Sequence, residues 1–149
     1  MERDGQLADL SEMLSLSTMA LATAGPNNQP HTAPVYFAAD NSLQFFFFSD
    51  PDSQHCRDLA QNTKAAAAVY PECFDWQDIR GIQMSGQAMQ VEPGPDWERA
   101  WQLYQSKYPF VAGMKEVLSR NTMYVFIPSW LRLVDNRLGF GYKREWRLT

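Results

Sequence analysis

Ser49, Ser53, His55 and Arg57 stand close together, directly after four consecutive phenylalanines, in the stretch "LQFFFFSDPDSQHCR". Hydroxyl, imidazole and guanidinium groups are donors suited to an anion. Asp50, Pro51, Asp52 and Ser53 carry helix-start signals: capping side chains and an early proline. The first N–H groups of a helix are unpaired and carry partial positive charge. A strand ending at Phe48, a polar turn and a helix start thus offer an anion-binding corner. The same residues also read as plain helix caps with a solvated His55. Asp50 and Asp52 oppose an anion placed directly before them, because like charges repel.

His31 and Thr32 form a second candidate, at the start of another strand just past a turn. They also read as a surface histidine and its neighbour. No nucleophile is paired with a base, and neither a P-loop nor a GxGxxG pattern is present. His31 and His55 lack metal-ligand spacing, so no metal site is expected. Cys56 and Cys73 lie in no metal or redox spacing and read as reduced thiols of a cytoplasmic protein. The net charge of -4, with no Lys/Arg cluster before Lys143-Arg144, argues against a nucleic-acid partner. No apolar run is long enough to span a membrane. The N-terminal "MERDGQLADL" has no apolar signal core.

The elements that must position these groups follow from periodicity. Gln6 to Leu14 has helical spacing in Leu7, Leu10 and Leu14. Ser17 to Thr23, His31 to Phe37 and Leu43 to Phe48 read as strands joined by the turns "AGPNNQP" and "AADNS". Pro34 cannot donate to a ladder, which places its strand at an edge or bulge. Ser53 to Gln61 is a helix. Ala65 to Tyr70 is a small-residue strand, and Gly81 to Val91 a long one with a bulge at Gly86. Gly94-Pro95-Asp96 opens a helix whose apolar stripe is Trp97, Ala100, Trp101 and Tyr104. Pro109 ends it, and Val111 to Leu118 forms a short helix. Met123 to Ile127 and Trp130 to Val134 are strands interrupted by Pro128, and "FGYKREWRL" returns as the last. The 149 residues read as a single domain, 1–149, of mainly β with α (α+β) class. The predicted architecture is a small antiparallel split barrel with flanking helices. The connections are too short for a doubly wound parallel sheet.

This succession resembles the FMN-binding split barrels of the pyridoxamine 5'-phosphate oxidase-like family. The resemblance runs through "LAT", a turn, the pattern P-H-x-x-P-V-x-F from Pro30 to Phe37, a third strand ending in Ser49, a helix and a further strand. "IRGIQMSGQAMQVE" looks like the family's next long strand, and "LVDNRLGFGYKREWRL" is similar to the ending of a poorly characterised bacterial branch. The resemblance implies a homodimer with FMN at the subunit interface. It implies that Thr32, Pro34 and Val35 run along the flavin, and that His31 lies beside them. Phe48 and Ser49 would sit by the ribityl-phosphate. Ser53, Gln54 and His55 would face the phosphate, and Trp146 would reach the ring. The chain departs from many members at Ala33, where they carry Arg, and at His55, where they carry Lys. Alanine makes no bidentate phosphate contact, so weaker FMN binding or another ligand is implied. The basic residues that hold a pyridoxal phosphate substrate have no match.

Expected, then, is a flavin-dependent oxidoreductase with a small-molecule substrate or electron donor, the flavin carrying the electrons. The alternative is a non-catalytic flavin, haem or phosphoryl-ligand protein, a sensor or carrier, with His31 or His55 as the histidine candidates for a haem. A third reading is a structural dimer that has lost its ligand. Strand alternation sends Phe45 and Phe47 inward and leaves Phe46 and Phe48 outward. A partner subunit and a flavin are expected to cover the outward pair; the competing cover is the helix from Trp97 to Tyr104.

Overall fold

The computed structural model describes residues 9–148. The part of the first predicted helix before residue 9, with Leu7, lies outside the described residues. Helix α1 occupies residues 9–14 and buries Leu10 and Met13. The strands follow as β1 (Thr18–Ala24), β2 (Pro30–Tyr36), β3 (Ala38–Ala39), β4 (Phe45–Ser49), β5 (Lys64–Val69), β6 (Arg80–Gln90), β7 (Thr122–Asp135) and β8 (Lys143–Arg147). Helix α2 (Gln54–Gln61) separates β4 from β5, while α3 (Pro95–Lys107) and the single turn α4 (Lys115–Leu118) separate β6 from β7.

Every pairing is antiparallel, in the order β2-β1-β5-β6-β7-β4-β3, with β8 beside the second half of β7. Residues 30–39 serve both edges. β2 pairs with β1, and β3, just beyond Phe37, pairs with β4. The sheet therefore curls almost closed and splits between β2 and β4, which share no ladder. Pro34 lies in an edge strand, where a missing N–H costs least.

Two layers of apolar packing result. Inside the curl, Phe37, Phe45, Phe47, Phe126, Met19, Leu21, Ile82 and Leu131 form the main core. Phe47 stacks on Tyr124. Outside it, Phe46, Val91, Met123 and Val125 meet Ala100 of α3, with Phe48, Trp97, Trp101 and Leu103 packed against them. The cover over the second pair of phenylalanines is thus the chain's own helix, and not a partner as expected. Phe46 is 7 % exposed, and the Phe48 ring meets Trp101 and Tyr104 edge-on, with centroids 5.9 and 5.1 Å away. Burying a phenylalanine is worth about 1.5–3 kcal/mol, which α3 supplies within one subunit.

Tyr108 ties the end of α3 to the barrel, its hydroxyl donating to the carbonyls of Phe37 and Ser17 at 2.5 and 3.0 Å. Lys107 donates to Leu16 O and Leu14 O, carbonyls left open at the end of α1. Pro128 does not interrupt its strand. β7 runs unbroken through it, with a register shift where Gly86 faces Pro128 and Ser85 faces Trp130. The bulge is where Gly86 marked it, and the residue left over is Ser129.

Candidate functional site

Helix α2 begins at the predicted corner. Ser53 is its N-cap, and its Oγ accepts from the N–H of Cys56 at 3.4 Å. Ser49, at the end of β4, is buried. Its Oγ lies 2.7 Å from Nε2 of His55. Ser53 Oγ lies 3.5 Å from the same nitrogen. Ser49, Ser53 and His55 are therefore one hydrogen-bonded group at the start of the helix. Gln54 stands beside them, its side-chain carbonyl accepting from Arg57 Nη2 at 2.9 Å. Asp50 and Asp52 are exposed in the turn, and Asp50 caps it by accepting from the N–H of Asp52.

One turn along α2 lies Asp58, to which the residue pattern gave no role. It is 2 % exposed. Its Oδ2 accepts from Thr23 Oγ1 of β1 and faces Nδ1 of His31 of β2, both at 2.7 Å. Its Oδ1 accepts from Gln54 Nε2 at 2.9 Å. The connection between β1 and β2 packs tightly here: a Cβ on Gly25 would stand 2.9 Å from Asp58 Oδ1 and 3.0 Å from His31 Cε1. Asp58 thus fastens β1, β2 and α2 together. Burial alone would raise its pKa, but the hydrogen bonds from Thr23, Gln54 and His31, with the nearby imidazole, hold it below the usual carboxylate range.

The His55 imidazole titrates lower than usual, because burial disfavours its charged form; the Asp58 carboxylate opposes this in part. A lowered folded pKa means that the unfolded chain binds more protons once the pH drops below the ordinary histidine value. The stability His55 contributes is therefore full above pH 6.5 and is lost as pH falls through its folded pKa. Replacing His55 by Gln is expected to flatten the fall of the urea midpoint between about pH 6.5 and 5. An unchanged pH slope in that range would show that His55 is not the group responsible.

The remaining predicted residues divide. Thr32 and Pro34 lie exposed on one face of the edge strand β2, while Val35 turns inward and is 7 % exposed. Phe48 adjoins Ser49 in sequence, but its ring is held under α3. Trp146 lies on β8 opposite Leu131, packs against the main core and carries the Arg144 guanidinium 5.0 Å from its ring. The corner thus brings together Ser49, Ser53, Gln54 and His55, and Asp58 links Gln54 to His31. Two broad grooves lie elsewhere, one of about 760 Å³ between the β3–β4 turn, the end of β6 and α3, and one of about 820 Å³ around the β6–β7 bulge. Cys56 and Cys73 are free thiols. Among the described residues no helix is long and apolar enough to cross a membrane.

Residues 8–135 match the family model described as pyridoxamine 5'-phosphate oxidase. The chain belongs to that family. A UPF0306 protein of Klebsiella pneumoniae is 25% identical over 142 residues, covering 95% of this chain and 92% of the relative. A pyridoxine/pyridoxamine 5'-phosphate oxidase of Rhodopseudomonas palustris is 28% identical over 165 residues, covering 95% and 74%. Among solved structures, a heme binding protein from Mycobacterium smegmatis superposes with a TM-score of 0.76 at 20% identity, covering 94% of this chain and 57% of that one. At that identity the likeness establishes the fold, an antiparallel α+β split barrel, and nothing about the ligand.

Proposed function

We propose that the protein binds FMN as a homodimer and works as a flavin-dependent oxidoreductase on a small-molecule substrate. The observation that carries this reading is the hydrogen-bonded group of Ser49, Ser53 and His55 at the start of α2, within a chain of the pyridoxamine 5'-phosphate oxidase family. The donor set fits a phosphate. Ser53 uses an oxygen lone pair for the helix cap, leaving its hydroxyl hydrogen to donate outward. Ser49 and a neutral His55 keep one free donor between them, since one of their two hydrogens lies in their mutual bond, and the first amides of α2 add partial positive charge. Among the described residues, the permanent cation beside them is Arg57, bonded to Gln54 and exposed. Weak binding follows from that, because the phosphate charge is met mostly by neutral donors. When bound, the flavin supplies the electron transfer. The exposed Thr32 and Pro34 of β2 then offer it an edge to lie against, a second subunit covers it, and Trp146 reaches it across the interface.

A second reading, a non-catalytic haem- or flavin-holding protein, is favoured by one observation. Of the two histidines, His55 has its Nε2 engaged by Ser49, whereas His31 keeps its Nε2 free of any hydrogen bond among the described residues. His31 is therefore the better iron ligand of the pair. The visible absorption spectrum of freshly purified protein, followed by titration with FMN and then NADPH, tests both readings. A flavin spectrum that NADPH bleaches is the expected result. A Soret band favours the second reading. A colourless protein that leaves FMN fluorescence unchanged overturns the first.

A further inference from the structure

Asp58 is a buried carboxylate satisfied entirely by donors. Thr23 supplies a hydroxyl and Gln54 an amide N–H, and an ionised carboxylate can only accept. The hydrogen between Asp58 and His31 must therefore sit on Nδ1 of His31. In the neutral ring the lone pair is then on Nε2, which makes no hydrogen bond among the described residues. The His31 side chain is 31% exposed, so part of the ring faces solvent. The other charged or titratable groups of α2 nearby are His55, which bonds to Ser49, the buried thiol of Cys56, and Arg57, which bonds to Gln54.

We propose that His31 is the proton-accepting group of this site and that Asp58 is its positioning residue. The Nε2 lone pair forms a bond to a proton from an N–H or O–H of the bound molecule. That bond breaks and leaves its electron pair on the molecule. The Nδ1 hydrogen stays on the ring and is donated to Asp58, whose carboxylate balances the imidazolium at 2.7 Å. No side chain has to move, because Thr23 and Gln54 already hold the carboxylate. The inference rests on the corner being a ligand site, and deepens that reading by naming the atom that handles the proton.

The test uses the whole protein and its two histidines. In wild type, nitrogen-15 NMR of the rings should place the hydrogen of neutral His31 on Nδ1. Diethyl pyrocarbonate, which attacks unprotonated imidazole, should modify His31 readily. Asp58→Asn, whose amide can donate to Nδ1 and send the ring hydrogen to Nε2, should slow that modification about 10-fold, the size of effect typical of a positioning partner. His55 should keep its own rate. A wild-type His31 carrying its hydrogen on Nε2 would overturn the proposal whether or not the variant folds. So would an unchanged rate in a folded Asp58→Asn. Saturating FMN should shield His31 from the reagent. Should FMN fail to bind at all, the flavin reading falls, while tautomer and reactivity still decide the role of Asp58.

Discussion

Alanine at position 86 should leave the protein unfolded or destabilised by about 4 kcal/mol or more, beyond the ordinary range for one substitution. A Cβ there would lie 2.1 Å from the carbonyl oxygen of Ile127, 2.7 Å from Cα of Pro128 and 2.9 Å from the carbonyl carbon of Ile127. All three are backbone atoms of the neighbouring strand, so no side chain can swing aside. Relief requires β6 and β7 to separate at the bulge, where Pro128 faces Gly86 and Ser129 is the extra residue. The same bulge aims the Ser129 carbonyl at the N–H of Leu148, 2.9 Å away, and so holds the chain just past β8. Far-UV circular dichroism and urea unfolding of Gly86→Ala would check this. A variant within 1 kcal/mol of wild type would mean that the strands do not approach as described.

The second large effect is expected at Asp58. Replacing it by alanine should lower the unfolding free energy by about 3–5 kcal/mol, the usual cost of removing one partner of a buried polar or ionic cluster. Thr23, His31 and Gln54 would each lose their acceptor, and the first two belong to strands that the carboxylate fastens to α2. Asp58→Asn should cost much less, since the amide keeps the shape and one acceptor. Because the folded pKa of Asp58 is lowered, its contribution is full above the ordinary aspartate value of 3.8 and is lost as pH falls through the folded pKa. The alanine variant should accordingly show a shallower acid limb below about pH 4. Equal urea midpoints for wild type and Asp58→Ala at pH 7 would remove the clamp from the account of the fold.

Much of the fold was legible because local chemistry and tertiary structure agree. The alternation in "GIQMSGQAMQ" reappears as β6, with Ile82, Met84 and Ala88 buried. Gly94-Pro95-Asp96 opens α3 as its capping chemistry predicts, and Ser53 caps α2. Pro128 misled for an identifiable reason. A proline costs a strand one donor, but at a bulge no donor is required of it, so β7 continues. The helix predicted from Val111 to Leu118 is instead a 3-10 turn, Pro109–Gly113, followed by the single turn α4. Its Gly113 favours a break.

The site was legible only in part. Ser49, Ser53 and His55 are near in sequence, and a strand followed by a helix suffices to gather them. Asp58 could not be found that way. An aspartate on a short helix looks like a solvated charge, and its partners Thr23 and His31 lie on strands far back along the chain. The sequence by itself determined most of the strands, though not β3 within the predicted turn "AADNS", together with the capped helices and the polar corner, because periodicity, turn residues and caps act over a few residues. Only the tertiary structure decided that α3 covers Phe46 and that Asp58 holds His31, because both depend on which distant segments the curled sheet brings within a few ångströms.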